Sequence, residues 1–507
     1  MNKALLISLV AFTNVMSWAQ CGTLDESFGE EGLVSTEFGS YKSAIKALAL
    51  QPDGKIIAAG SAYNNGAYHR FAVARYHTDG SLDESFATNG KLVGNYPDEK
   101  MTIESVCIQP DGKIIGVGII YNNYYNSEFF MVRLLPNGDM DTSFGFQGLI
   151  SIGGATVNAV RVQPDGKIVA AGFRYFDNNT RDMVVYRFNA NGVLDAGFGN
   201  SGVYQTSIGA RDFATSLCIQ NDGKILVGGT IFNASYSDFC LLRLLPDGSR
   251  DMTFGLEGIA SFDYGHNDEV TSVCVQPDGK IIFSGFTGDE DNNYQFALMR
   301  INANGSIDHG FGNDGFLTGE GGSLGRTVDL EADGRIVIAG AWDSDNGKAA
   351  AIRRFLADGS DDETFGEDGL MLVSPTSSCQ ANAMVLQPDQ KIVLGGEVAS
   401  GGMGYNPDFA LMRLHSGPPL AVGEQHAVRF TVYPNPMENQ ISVVLAETAA
   451  KCDISILDLH GRMVYDFGMQ DTGLGSTVRL ALPELSRGAY LLRIATPTHT
   501  EVVRVVK

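Results

Sequence analysis

Apolar residues in this chain fall into short runs separated by polar, glycine-bearing turns, and the pattern of runs repeats along most of the length. In the first full unit, Ala44 to Leu50 alternates small residues with large aliphatic ones, which predicts a half-buried strand A. Pro52-Asp53-Gly54 supplies a tight turn into strand B, Lys55 to Ser61. Strand C, Phe71 to His77, is apolar on both faces and therefore buried on both, and a longer loop leads to strand D at Lys91 to Gly94. The small side chains of Ala47, Ser105, Ala159, Ser216 and Ser272 share one face of strand A, as a strand crowded near a central axis requires. Arg161 and Asp329 are the exceptions among otherwise small or aliphatic inner-strand positions.

Three strings carry the repetition. Gln51-Pro52-Asp53-Gly54-Lys55 recurs from Gln109, Gln163, Gln220, Gln276, Glu331 and Gln387, at intervals of 54 to 58 residues. Leu24-Asp25-Glu26-Ser27-Phe28-Gly29 recurs around Asp83, Asp141, Asp195, Asp251, Asp308 and Asp362. The strand C string recurs with its arginine at Arg75, Arg133, Arg187, Arg243, Arg300, Arg354 and Arg413. Four short antiparallel strands at this period predict an all-β protein, a seven-bladed β-propeller of four-stranded blades. A parallel β-helix has shorter coils and lacks the tight antiparallel turns.

The repeats begin on a D strand (Leu33 to Phe38) with no strand C before it and end on a C strand (Phe409 to Leu414) with no strand D after it. Pairing the two ends closes the ring and removes both edges. It also joins Arg413 to Asp25, the two residues left unmatched by the eight-residue Arg-to-Asp spacing found inside each other repeat. A partly buried arginine needs such a partner, so the pairs read as structural pins for the C–D loops.

These strings resemble the delta-60 repeat family of secreted bacterial β-propellers over residues 24 to 415. The resemblance implies a propeller and no particular activity. Departures are local: Asn221 and Ala332 stand at the turn proline, Gln390 at the turn glycine, and Ala87 at the glycine after Phe86.

After Arg413 the pattern stops, and Gly417-Pro418-Pro419 opens a linker spanning 416–426. Residues 427–507 hold about seven short strand candidates and predict a small immunoglobulin-like β-sandwich. Val432-Tyr433-Pro434-Asn435-Pro436, Gly488, Tyr490 and the final Lys507 resemble the C-terminal sorting domain of type IX secretion cargo. That resemblance implies the secretion machinery as partner and a protein that is secreted or attached to the outer cell surface. At the other end, Lys3, the apolar run Ala4 to Val15 and Ser17-Trp18-Ala19 read as a signal peptide over 1–19, leaving the propeller to 20–415.

Charge and chemistry narrow the function. A net charge of −23 disfavours nucleic acid or an anionic membrane surface as partner. No segment is long and apolar enough for a transmembrane helix. Cys107, Cys218 and Cys274 occupy one repeat position and read as small buried residues, while a pairing of Cys21 with Cys379 is left open. No nucleophile, zinc or phosphate-loop motif occurs, the acidic loops at Asp289 and Asp343 fit hairpin turns better than calcium loops, and the eight histidines are scattered. No cofactor, metal or catalytic residue is therefore expected. The expected role is a binding or scaffolding module for an extracellular glycan or protein, the alternative being a glycan-active or other hydrolytic enzyme with its site in the central channel. The variable D–A and B–C loops share one face and carry the binding candidates Tyr63, Tyr121, Tyr124, Tyr125, Tyr175, Phe176, Tyr236, Tyr294, Trp342 and Tyr405.

Overall fold

A computed structural model describes residues 21–39, 42–64, 68–94, 100–121, 127–176, 180–233, 236–265, 267–288, 293–319, 323–344, 347–374, 378–399 and 407–417 of the repeat region. Beyond it, residues 430–433, 440–445, 451–457, 463–471, 477–481, 485, 489–495 and 500–506 are described. The predicted signal peptide, most of the linker and the sorting-motif residues Pro434, Asn435, Pro436, Gly488 and Lys507 lie outside these residues. The chain divides into two compact units, Met1–Pro419 and Leu420–Lys507.

Unit one is built of antiparallel sheets, each laid out in the order A, B, C, D. The first comprises Ser43–Leu50, Ile56–Asn64, Tyr68–Tyr76 and Lys91–Val93. The same layout recurs from Met101, Ala155, Asp212, Asn267, Ser323 and Cys379, with the sets from Asp212 and Asn267 linked by one parallel bridge between Ser237 and Asn267. Each A strand packs beside the A strand of the next repeat, and the A strands Cys379–Leu386 and Ser43–Leu50 touch in turn, so their succession is circular. Apolar clusters fill the space between neighbouring sheets, for example Phe71, Ile103, Phe130 and Phe86 between the first two.

The set beginning at Cys379 takes its fourth strand from the start of the chain. Leu33–Thr36 lies antiparallel to Pro407–His415 with Leu33 opposite Met412. The accompanying turn is assembled from both ends of the unit. Gly22 N donates to His415 O (2.7 Å) and His415 N donates to Thr23 O (2.9 Å). Within a continuous segment, Gly80 N to His77 O (3.0 Å) and His77 N to Ser81 O (2.8 Å) make the same turn. Cys21 and Cys379 are both buried free thiols in one apolar cluster and form no disulfide.

One polar arrangement recurs in every repeat. Arginine Nε donates to the aspartate eight residues on (Asp25 for Arg413) at 2.6 to 2.9 Å. The basic residue of the A–B turn reaches the same carboxylate, as Lys55 does to Asp83 at 3.0 Å and Lys391 to Asp25 at 2.9 Å. The guanidinium lies over the phenylalanine of the C–D loop, 4.3 to 4.7 Å from its centroid. Its Nη1 then donates to a backbone carbonyl of the following repeat: Arg75 to Pro136, Arg133 to Ala190, and so on to Arg354 on Ser416 and Arg413 on Thr78. The local departures leave the turns intact, Gln390 taking φ 65° and Ala87 φ 47° where glycine stands in other repeats.

A second device shapes strand A. Its ladder to strand B is interrupted by a β-bulge, and the residue left over is Lys46, Glu104, Asn158, Thr215, Thr271, Arg326 or Asn382. A strand B glycine faces each bulge. A Cβ on Gly60 would sit 2.0 Å from Ala44 O and one on Gly118 1.8 Å from Thr102 O, so no larger residue fits there.

Unit two holds two sheets. Phe430–Tyr433, Gln440–Leu445 and Thr477–Ala481 form one, and Met463–Asp471, Lys451–Leu457, Ala489–Ala495 and Thr500–Val506 the other. Ile441, Val443 and Leu480 of the first share an apolar core with Ile454, Ile456, Leu492 and Ile494 of the second, and half-buried Tyr490 packs against it.

Two predictions follow from the arginine–aspartate pairs. Asp25→Ala strands Arg413 in a buried site and is expected to cost about 3–5 kcal/mol of stability. Lys348→Ala, which removes an exposed pair with Asp343, is expected to cost less than about 1 kcal/mol. Denaturant titration separates the two, and equal costs would refute the structural role. Burial raises the pKa of these aspartates, but hydrogen bonds from Ser, Thr and Lys and the arginine charge outweigh it, so all seven are held below the ordinary carboxylate range, Asp251 at about 2. A depressed native pKa gives stability that is complete above the unfolded value of about 3.9 and is lost as pH falls through the native one. The melting temperature should therefore fall steeply from about pH 4 towards pH 2, and less steeply in Asp251→Asn. A calorimetric profile unchanged by that substitution would contradict the assignment.

Candidate functional site

Because strand A bulges, its extra residue points toward the axis of unit one. Lys46, Glu104, Asn158, Thr215, Thr271, Arg326 and Asn382 line a central cavity of about 420 Å³, together with Phe173, Arg181, Phe213 and Glu269. Four of the seven are short polar residues that tie one A strand to the next. Asn158 Nδ2 donates to Ala214 O (2.8 Å), Thr215 Oγ1 to Val270 O (2.5 Å), Thr271 Oγ1 to Gly325 O (2.7 Å) and Asn382 Nδ2 to Ile45 O (2.8 Å). At the remaining three positions the residue is charged.

Lys46, Glu104 and Arg181 also line a wider cavity of about 910 Å³, large enough for several sugar rings or a peptide segment. Its walls come from strand A starts (Lys42, Ser43, Lys100, Thr102), strand B ends (Tyr63, Tyr121, Tyr175) and strand C starts (His69, Arg181), with Glu397 alongside. It therefore opens at the end of the sheets where the D–A and B–C connections emerge.

The electrostatics follow from crowding charge into a half-closed space. Burial raises Glu104 and Glu269, the latter to about 7, against the opposing pull of Lys46 and Arg326 respectively. Burial, with Glu104 and Tyr175 nearby, pushes the Tyr121 phenol up to about 12. Burial and the charges of Lys100 and Lys46 lower His69, whose ring packs against Tyr63 at a tilt of 47° with centroids 3.8 Å apart. The Arg181 guanidinium lies 5.2 Å from the centroids of both Phe173 and Tyr175. Among the described residues, Arg181 Nε, Arg326 Nε and His69 Nδ1 are buried without a protein hydrogen-bond partner.

Of the residues singled out from sequence, Tyr63, Tyr121 and Tyr175 meet in this cavity. Phe176 and Tyr236 are exposed beyond its lining, Tyr294 packs edge-on to Phe286 at 5.0 Å, and Trp342 borders a small crevice with Phe296 and Arg353. Tyr124, Tyr125 and Tyr405 lie outside the described residues. The expectation of a channel lined by small and aliphatic residues is corrected. An unbroken alternation puts Ala47 and Ser105 on the axial face, but the bulge inserts Lys46 and Glu104 there. The recurrent strand B glycine (Gly60, Gly118, Gly172, Gly229, Gly285, Gly340, Gly396) was the available signal. His69, one of the scattered histidines, is half-buried in the cavity wall. Cys107, Cys218 and Cys274 are only partly buried, though desolvation raises all three thiols.

Comparison with known proteins agrees with the repeat. Six segments, residues 51–86, 109–144, 163–198, 220–254, 276–311 and 331–365, match the domain of unknown function DUF5122 beta-propeller. Residues 431–507 match the secretion system C-terminal sorting domain, and residues 258–293 also match the WD domain, G-beta repeat. The chain carries β-propeller repeats of the DUF5122, delta-60-like family and a type IX sorting domain, and it is secreted or attached to the cell surface. No curated protein matches it in sequence. Among solved structures, a protein of unknown function from Dyadobacter fermentans is 13% identical with a TM-score of 0.38, covering 76% of this chain and 99% of its own. The polysaccharide lyase Uly1 is 12% identical with a TM-score of 0.44, covering 80% and 98%. Sqt1 from Chaetomium thermophilum is 11% identical with a TM-score of 0.39, covering 75% and 96%.

The tyrosines at the cavity mouth are available to a ligand and should matter little to folding. Tyr121, 44% exposed, should tolerate alanine within about 0.5 kcal/mol, whereas Phe144→Ala, fully buried beneath Arg133, should cost about 3–5 kcal/mol. Chemical denaturation of the two variants checks this, and a large loss for Tyr121→Ala would make it a packing residue.

Proposed function

We propose that this protein is a seven-bladed propeller with an immunoglobulin-like sorting sandwich, acting outside the cell as a binding module for a glycan or protein. The ligand enters the mouth of the central channel. The observation that carries this reading is the 910 Å³ cavity, where three aromatic side chains and cations from several repeats converge on one concave surface. These residues break the repetition that the structural pins obey, and a binding surface needs such variation whereas a ring does not.

The presence of Glu104, Glu397 and His69 in the same wall supports a second reading, a glycan-active enzyme working in the channel. Turnover distinguishes the two: a module leaves its glycan intact, and an enzyme releases new chain ends.

Alanine at Tyr121 and Tyr175 is expected to weaken ligand binding about tenfold or more, while charge reversal at Asp53 and Asp165 in the A–B turns leaves it unchanged. Calorimetric titration of a glycan or protein captured from the native surroundings provides the measurement, and the opposite pattern would move the site to the A–B face. Removal of residues 427–507 is expected to leave the protein in the periplasm, read by cell fractionation. Normal export of that truncation would refute the sorting role.

A further inference from the structure

We infer that the channel mouth recognises an acidic polysaccharide, one carrying a carboxylate or sulfate on successive sugar rings. The inference rests on reading the mouth as a ligand site and names what the site takes.

The argument begins with charge. The chain carries −23 overall, yet the described residues lining the two cavities, which share Lys46, Glu104 and Arg181, include Lys42, Lys46, Lys100, Arg181 and Arg326 against Glu104, Glu269 and Glu397. An acidic protein that concentrates cations along a concave axial surface presents a focused positive field to an approaching anion.

The fold does not require those cations. At four of the seven bulge positions a short polar side chain reaches the neighbouring carbonyl, as Asn158, Thr215, Thr271 and Asn382 do. Lys46 and Arg326 occupy equivalent positions with longer, charged side chains. Buried guanidinium donors cost free energy unless an acceptor meets them. Arg181 Nε and Arg326 Nε have no such acceptor among the described residues, and a ligand oxyanion supplies one.

The distribution of the groups points to sugar. Tyr63, Tyr121 and Tyr175 offer ring faces, and the packing of Arg181 against Phe173 and Tyr175 fixes its guanidinium in place. Aromatic faces interleaved with separated cations suit a chain of pyranose rings, each with an apolar face and its own charge. A single phosphate would need the cations gathered at one point. A folded protein epitope would need a broad contact surface rather than a recess.

The test uses the mature full-length chain and three probes of matched length in calorimetric titration: oligogalacturonate, its methyl ester and oligoglutamate. Oligogalacturonate should bind most tightly, the ester about tenfold or more weaker, and added salt should weaken the acidic probe selectively. Lys46→Gln and Lys100→Gln should each reduce its affinity about tenfold, while Lys91→Gln, on an outer strand, should not. Unchanged melting temperatures in the three variants exclude misfolding as the cause. A sulfated galactan oligosaccharide in place of the uronate separates the two sources of negative charge.

Equal binding of the ester, still lost in Tyr121→Ala, would overturn the acidic class and leave the mouth as the site. Tighter binding of oligoglutamate would overturn the carbohydrate assignment. Uronate binding indifferent to both lysine changes would remove the mouth itself, and with it the reading on which this inference rests. Failure of both the uronate and the sulfated probe to bind would overturn the proposal outright.

Discussion

Everything in unit one depends on a buried cation held in place by one carboxylate. The arginine of strand C sits in an otherwise apolar interior, where an unpaired guanidinium would be strongly unfavourable. The aspartate at the start of the C–D loop neutralises it, the basic residue of the A–B turn joins them, and a phenylalanine covers the guanidinium plane. Satisfying the arginine thus folds two loops at once. Its remaining N–H groups then reach a backbone carbonyl in the next repeat, so the group that organises one sheet also locks it to its neighbour. The succession ends where it began, with Arg413 on Asp25 and its Nη1 on Thr78.

That arrangement explains why the two ends of the repeat region are interdependent. Arg413 has no aspartate eight residues downstream, where Ala421 stands, and Asp25 has no arginine eight residues upstream. Each would be a buried, uncompensated charge until the N-terminal segment docks. The turn split between His415 and Gly22 follows the geometry of its continuous counterparts, so the joint requires no special structure, only proximity.

The channel obeys a different logic. Its lining comes from a backbone irregularity, the bulge in strand A, which is possible because the facing residue of strand B has no side chain. The bulge turns one residue per repeat toward the axis. Most of these positions are filled by amides and hydroxyls that bond the adjacent strand, and the others are free to carry charge without disturbing the ring. Structural repetition at the pins and chemical variation at the bulges can therefore coexist in one repeat. The sorting domain sets the compartment, outside the cell or on its surface.

The sequence by itself determined the repeat, the four-strand plan, the pairing of Leu33–Thr36 with the last C strand and the pairing of Arg413 with Asp25. These follow from periodicity and from the rule that a buried charge needs a partner, both of which are local or recur at a constant interval. It also marked the tyrosines Tyr63, Tyr121 and Tyr175, which lie at the ends of recognisable strands. The tertiary structure alone decided that these three converge while Phe176, Tyr236, Tyr294 and Trp342 do not, because residues at corresponding ends of different sheets meet only across a closed ring. It decided as well that Lys46, Glu104 and Arg326 face the axis. Simple alternation assigns each residue to a side by parity, and a single bulge reverses that parity without changing the composition of the strand.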